Sequence, residues 1–396
     1  MARNVVIAAG VRTAIGDFGG ALSGMSPCDL GAAVAREAIT RAGIAASEVD
    51  QTIFGNVIHT APEDMYVSRV VAIRAGIPDT SPALTLNRLC GSGLQAVVTG
   101  AEQIALGKAN VVLAGGTENM SRAGHLLTQV RNGQKMGDVA AIDMMVGALT
   151  DPFGNGHMGV TAENVADRSG ISRLAQDSFA VRSHHRAAAA IAQGRFRDQI
   201  LPMTVRVGRS ERVFDTDEHV RPNVTIDDLA RLRPAFIKNG GVTAGNASGL
   251  NDGAAAVLLM EEELAEKRDL APLARIVATG LGGVAPDMMG MGPVPATRQA
   301  LARAGITVDD LDVIESNEAF AAQACAVSAE LGFSDDKVNP NGGAVALGHP
   351  IGASGAIILV KLCHELRRIG GRYGLATMCI GGGQGIAVVV EAIKRK

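Results

Sequence analysis

Apolar positions along the chain follow two alternating rhythms. Short, nearly unbroken apolar runs at 5–9, 51–57, 109–114, 274–279, 313–316, 374–378 and 385–391 have the length of buried strands. Between them, apolar residues recur at helical spacing over 30–42, after Gly93, over 296–304 and over 353–368. Gly43 and Gly305 follow two of these stretches directly and are read as helix stops. The pattern predicts mixed, largely parallel sheets covered on both faces by helices, an α/β fold.

The rhythm repeats. Shifted by 262 positions, Arg36-Glu37-Ala38-Ile39-Thr40-Arg41-Ala42-Gly43-Ile44 lies on Arg298-Gln299-Ala300-Leu301-Ala302-Arg303-Ala304-Gly305-Ile306, with six of nine residues identical. The same shift superposes Ser92-Gly93 on Ser354-Gly355 and Leu113-Ala114 on Leu375-Ala376. One offset serving three separated segments implies a duplication. The expected organisation is a first half over 1–120 that continues at about 245–270, an insertion over 121–245, and a second half over 271–396. The insertion is richer in Arg, Asp, His and Met, and insertions of this size commonly lie over a site.

Composition narrows the class. Of 396 residues, 47% are apolar and 19% charged, with 49 Gly and 14 Pro, which fits a globular chain rich in close packing. A net charge of −3, with Lys and Arg evenly spread, argues against a nucleic-acid surface, and no Trp and only two Tyr leave little for base stacking. No apolar run approaches the ~20 residues that span a bilayer. The chain shows neither signal-peptide architecture nor a peroxisomal address, and the five cysteines have neither zinc nor disulfide spacing. A reducing cytoplasm is the expected location, with no membrane partner.

Three glycine-dressed stretches carry the candidate chemistry: Asn87-Arg88-Leu89-Cys90-Gly91-Ser92-Gly93, Gly348-His349-Pro350-Ile351-Gly352-Ala353-Ser354-Gly355, and Cys379-Ile380-Gly381-Gly382-Gly383-Gln384-Gly385. Each offers one reactive side chain where missing β-carbons admit a backbone or a substrate. Two thiols and an imidazole suit covalent thioester chemistry: a nucleophile, its activator and a second acid/base. Cys90, read as the start of a helix, is expected to have its pKa lowered by the helix dipole. Cys28, Cys325 and Cys363 are read as small apolar filler. His184 and His185, in a helix of Arg, Ser and Ala, are read as solvated and not as metal ligands. The glycines at 381–385 lack the helix and acidic partner of a dinucleotide loop.

These three stretches, together with Ser316-Asn317-Glu318-Ala319-Phe320-Ala321-Ala322 and Thr243-Ala244-Gly245-Asn246-Ala247-Ser248-Gly249-Leu250-Asn251-Asp252-Gly253, resemble the motifs of the thiolase family, in the family's order from Arg12 and Thr13 to the C-terminus. The resemblance implies the thiolase fold: two βαβαβαββ halves in five layers with an inserted loop domain, usually a homotetramer, with a contact near 122–138. It implies that Cys90 is the nucleophile, His349 its activator and Cys379 the acid/base. Oxyanion stabilisation would come from His349 with a water on Asn317, and from the N–H groups of Cys90 and Gly381. Coenzyme A contacts would include Arg221, Ser248, Ala244, His157, Met158, Leu149, Phe236, Ala319 and Phe320. Acyl-CoA thioesters would be the substrates, with no separate cofactor and no metal. Met158 as plain core and Arg221 as a plain solvated arginine stay open as readings.

The expected activity is that of an acetyl-CoA C-acyltransferase (β-ketothiolase), condensing two short acyl-CoA molecules or running the reverse thiolysis through an S-acyl cysteine. A ketoacyl synthase of the same fold is disfavoured by Cys379 and its glycine-rich tail. A degradative broad-chain 3-ketoacyl-CoA thiolase and a catalytically silent acyl-CoA binder are the alternatives. Pocket width near Leu149, Met158, Met288 and Met289 governs which chain lengths fit.

Overall fold

The computed structural model describes residues 3–208 and 210–393. Nine strands form the main path of one sheet: β1 (Val5–Thr13), β2 (Gln51–Gly55), β3 (Ala83–Leu86), β4 (Val111–Asn119), β5 (Asn251–Glu261), β6 (Ala274–Gly283), β7 (Leu311–Ser316), β8 (Tyr373–Ile380) and β9 (Gln384–Ala392). Their order is β7-β8-β9-β6-β1-β5-β4-β2-β3, and the two-residue strands Gly16–Asp17 and Ile200–Leu201 pair at β5 and β1.

The duplication is visible in this order. In the first half, β1 pairs antiparallel with β5, β5 antiparallel with β4, and β4 parallel with β2. In the second half, β6 pairs antiparallel with β9, β9 antiparallel with β8, and β8 parallel with β7. The halves join back to back through a short antiparallel β1–β6 ladder from Val5↔Ile276 to Ile7↔Ala274.

The expectation of largely parallel sheets is corrected: among the described residues, six of the ten pairings in this sheet are antiparallel. The last strand of each half runs antiparallel to its neighbour: β9 returns directly from β8 through a tight turn, while β5 returns to β4 after a long excursion.

Helices cover both faces. Helix α1 (Pro27–Ala42) packs on β1, β4 and β5, and Gly43 closes it with φ 71°. Helices α2 (Ser92–Ala105), α3 (Met158–Arg168), α4 (Arg173–Ala192), α5 (Pro293–Ala304), α6 (Ala321–Leu331) and α7 (Ile351–Ile369) follow. Helix α5 packs on β6 and β9 as α1 does on its own half, and Gly305 closes it with φ 69°. Helices α2 and α7 pack on each other between the half-sheets, α7 touching β4 and β5 on one side and β7 and β8 on the other. The layers therefore run helix, sheet, helix pair, sheet, helix. The largest apolar cluster spans β1, β4, β5, α2 and α7.

Between β4 and β5 the chain leaves the sheet to form α3, α4, an antiparallel hairpin of Met203–Val207 and Ser210–Phe214, and an extended arm that includes His125–Leu126 and Ile142–Asp143. This excursion is tied to β1 by the fully buried pair of Arg12 and Asp217, 2.7 Å apart.

Candidate active site

Cys90 lies two residues before α2, at the end of a strained turn. Leu89 has φ 44°, unusual for a branched side chain. The turn is held by Ser92, whose Oγ donates to the Leu89 carbonyl (2.6 Å) and accepts from Arg88 N–H (2.8 Å), while Asn87 Oδ1 accepts from Leu89 N–H (2.8 Å). Gly91 packs so closely on Ile380 that a β-carbon would overlap its side chain. Cys90 is thereby fixed against the end of β8, the strand that carries Cys379.

Burial pushes the Cys90 thiol up to about 11. The N–H groups of Gly381 and of Cys90 itself pull the other way, and Glu118 adds to the rise. The expected dipole-lowered pKa is therefore corrected. The helix begins only at Ser92, and no cation offsets desolvation of the sulfur.

Cys379 is almost fully buried among Met158, Met289, Ala319 and Phe320. Burial raises its pKa, and the charge of Cys90 raises it further, so the two sulfurs share one site. The loop after it turns through Gly382 (φ 81°) and Gly383 (φ 88°) into β9. Gly381 leaves room for the side chains of Met158 and Leu89.

His349 precedes α7 and is buried, which pushes its pKa down to about 4. Its Nδ1 lies 2.6 Å from Ser354 Oγ. Ser354 donates its proton to the Pro350 carbonyl at 2.9 Å, so the ring proton belongs on Nδ1 and the lone pair on Nε2. Among the described residues Nε2 has no hydrogen-bond partner. Ile351, two residues on, packs in the same apolar cluster as Cys90. Asn317 leaves the end of β7 with its N–H on the Thr377 carbonyl, and among the described residues neither polar atom of its buried carboxamide has a hydrogen-bond partner.

The chemistry available is nucleophilic. A neutral thiol lies at the N–H groups of Gly381 and Cys90, a second buried thiol feels its charge, and the neighbouring turn offers an imidazole with an unpartnered Nε2.

Other expected residues also come together. His157 stacks on Phe236 with centroids 4.7 Å apart, and Phe236 meets Phe320 edge-on at 6.1 Å. Met158 N–H bonds the Leu149 carbonyl (2.8 Å), and Ser248 N–H bonds the Ala319 carbonyl (3.0 Å). Ala244 is exposed nearby. Arg221 stands apart from these rings and lines a cavity of about 360 Å³ with Pro222, Val224, Asp228 and Leu232.

His184 is not solvated as expected. It is buried, and its Nδ1 accepts from Arg221 N–H at 3.1 Å. His185 is exposed as expected, with Nε2 3.0 Å from the Val224 carbonyl. Within the excursion, the segment around Arg221 packs over α4 at His184 and so removes that ring from water. Cys28 and Cys363 are buried as expected, and Cys28 also directs its S–H at Asp64.

Residues 5–263 match the family described as "Thiolase, N-terminal domain" and residues 270–392 the one described as "Thiolase, C-terminal domain". The chain belongs to the thiolase family. It is 59% identical to the beta-ketothiolase BktB of Cupriavidus necator, over 99% of this chain and 100% of that protein. The human mitochondrial 3-ketoacyl-CoA thiolase superposes with a TM-score of 0.97 at 44% identity, covering 99% of each chain. The acetyl-CoA acetyltransferase of Bacillus anthracis does so with 0.97 at 47%, again over 99% of each.

Two polar residues around the candidate site were given no role by sequence: Glu118 lies outside every motif, and Asn251 lies within the 243–253 stretch without being singled out there. Glu118, fully buried at the end of β4, takes four donors: Asn56 Nδ2, Val57 N–H, Ile58 N–H and, from the other half, Gly352 N–H at 2.9 Å. It caps the N-terminus of α7 from outside. Burial pushes its pKa up to about 8, while the donors pull against that rise. Asn251 accepts from the His349 N–H. For Glu118 the available signal was a polar residue just past a buried apolar run, and for Asn251 it was the glycine-rich motif around it.

Proposed function

We propose that this thiolase is an acetyl-CoA C-acyltransferase working by a ping-pong mechanism on Cys90. His349 Nε2 takes the Cys90 proton as the sulfur attacks the acyl-CoA carbonyl. The C–S bond to CoA breaks, and the CoA thiolate leaves with the Cys379 proton. An S-acyl Cys90, an imidazolium and a Cys379 thiolate remain. Burial and Cys90 both raise the Cys379 pKa, so its thiolate is a strong base for the α-proton of a second acyl-CoA. The resulting carbanion attacks the Cys90 thioester. A C–C bond forms, the C–S bond breaks, and Cys90 recovers its proton from His349. Charge on the two carbonyl oxygens would be met by the N–H groups of Cys90 and Gly381, and by His349 with Asn317.

The observation that carries this reading is His349: its Nδ1 is locked by Ser354 and its Nε2 left unpartnered beside the Cys90 cluster. The pantetheine arm would pass Leu149, His157, Met158, Phe236, Ala319 and Phe320, with Ala244 and Ser248 along the way and the nucleotide end at Arg221. The insertion over 121–245 would thus cover coenzyme A, between halves at 1–120 with 245–270 and at 271–396. A cytoplasmic homotetramer fits exposed apolar side chains on the arm, Leu126, Leu127, Met136 and Ile142, and an open edge at β3.

A broad-chain 3-ketoacyl-CoA thiolase is the second reading. The cluster around Cys90 includes the half-buried Val57, Met145, Leu149 and Leu250.

Intact mass after brief exposure to acetyl-CoA, followed by peptide mapping, tests the proposal. One acetyl on the Cys90 peptide, removed by free CoA, is expected. Labelling elsewhere, or none, would overturn it. Repeating the exposure with longer acyl-CoAs separates the two chain-length readings.

A further inference from the structure

The polar contacts behind His349 converge on Asn251, the first residue of β5, whose side chain is fully buried. Its Oδ1 accepts from the His349 N–H at 2.9 Å. Its Nδ2 donates to the Gly16 carbonyl at 3.0 Å and to Asp17 Oδ1 at 3.3 Å. The amide cannot be flipped: a carbonyl can only accept and the His349 N–H can only donate. The same Asp17 oxygen receives His219 Nδ1–H at 2.5 Å.

The backbone is shaped around this carboxamide. Gly348 has φ 105°, and a β-carbon there would overlap the Asn251 amide. At Gly249 a β-carbon would lie 2.8 Å from both Asn251 Oδ1 and His219 Cε1. His349 is therefore gripped at two points, its ring by Ser354 and its backbone by Asn251. His219 lies two residues before Arg221, on the segment that lines the 360 Å³ cavity.

We propose that Asn251 is the positioning residue for His349, and that through Asp17 and His219 it ties the catalytic turn to the segment carrying Arg221. Asn251 touches no reacting atom. It sets where Nε2 points, so its loss falls on turnover and spares substrate affinity. Coenzyme A held at the Arg221 segment and the imidazole then share one chain of hydrogen bonds: His219, Asp17, Asn251, His349.

This inference rests on the thiolase reading of His349, and its test separates the two. Wild-type protein is first checked for acetylation on Cys90 by acetyl-CoA; failure there sinks the thiolase reading and this inference with it. Given acetylation, Asn251→Ala is expected to lower kcat about ten- to a hundredfold, with KM for acetyl-CoA within about twofold. Asp17→Ala acts on a partly exposed residue and keeps the test decisive if Asn251→Ala fails to fold. It is expected to lower kcat about three- to tenfold, again with KM held. Wild-type kcat in the folded variants, or a loss of KM and thermal midpoint in step with kcat, would overturn the positioning role while leaving the thiolase reading intact.

Discussion

Gly93 and Gly355 face each other's helices where α2 crosses α7, and they are the same position of the two halves, 262 residues apart. A β-carbon on Gly93 would lie 2.8 Å from Ala356 N and 3.0 Å from the Gly352 carbonyl, and one on Gly355 would strike Leu94 N. Those neighbours are backbone and cannot rotate away. Alanine is the better helix former by ~1 kcal/mol, yet overpacking costs about 1–3 kcal/mol or more and wins here. Gly93→Ala and Gly355→Ala should each lower the thermal midpoint. A midpoint that stays or rises would show that the helices have room to separate.

Ser354→Ala removes the acceptor of the His349 Nδ1–H and with it the preference for a free Nε2 lone pair. A hydrogen bond to a group that becomes charged is worth about 1.5–3 kcal/mol, so a ten- to hundredfold fall in kcat follows. KM for acetyl-CoA should hardly move, because Ser354 lies behind the ring. Steady-state kinetics of Ser354→Ala and Ser354→Thr decide it. Threonine retains the hydroxyl and should recover part of the rate.

What the sequence disclosed about this fold was local. Gly43 and Gly305 were legible as helix stops because a left-handed residue is a local requirement, and both have it. Cys90, His349 and Cys379 were legible because glycines crowd around them. Strand β5 was not read as one, since Ala254-Ala255-Ala256-Val257-Leu258-Leu259 is buried on both faces and lacks strand alternation. The alanine-rich helix α6 was missed for the same want of contrast. Glu118 and Asn251 take their meaning from partners 234 and 98 residues away, and no local pattern encodes a distance of that kind. The pKa of Cys90 went wrong because a helix N-terminus can be read from sequence and desolvation cannot.

Arg12 and Asp217 are both fully buried, with two N–H···O contacts of 2.7 and 2.9 Å, and Gln199 Oε1 and Ile15 N–H complete their hydrogen bonding. Asp217→Ala leaves the guanidinium unpaired in the interior, which costs about 3–5 kcal/mol. The excursion over 121–245 should loosen from β1 first. Hydrogen exchange of the 196–217 segment in Asp217→Ala reads this directly. Exchange no faster than wild type would show that water or another group replaces the carboxylate.

With Cys90 near 11 and His349 near 4, the resting pair is thiol and neutral imidazole, not thiolate and imidazolium. At pH 8 the thiolate fraction is then about a hundredfold below that of an ordinary cysteine. Alkylation of Cys90 by iodoacetamide should therefore climb about tenfold per pH unit from 8 toward 10.5. A plateau already reached at pH 8 would reveal a resting ion pair and contradict the desolvated thiol.

The same burial links the thiols to stability at alkaline pH. Cys90 and Cys325 are pushed up to about 11 and Cys363 to about 12, and Cys28 and Cys379 are raised as well, each with burial as the largest cause. The folded state therefore holds these protons more tightly than the unfolded chain, whose thiols titrate near 9. Stability from this source is fully present below pH 9 and is lost as pH climbs from 9 toward 11. Each thiol contributes a slope of about 1.4 kcal/mol per pH unit in that window. The thermal midpoint should hold between pH 7.5 and 8.5 and fall steeply above 9. Cys363→Ala, which removes one such proton, should make the fall shallower, even if the lost methylene-sized volume lowers the whole curve. Parallel curves for the variant and the wild type would mean that Cys363 titrates alike in both states and that its burial is not felt by the proton.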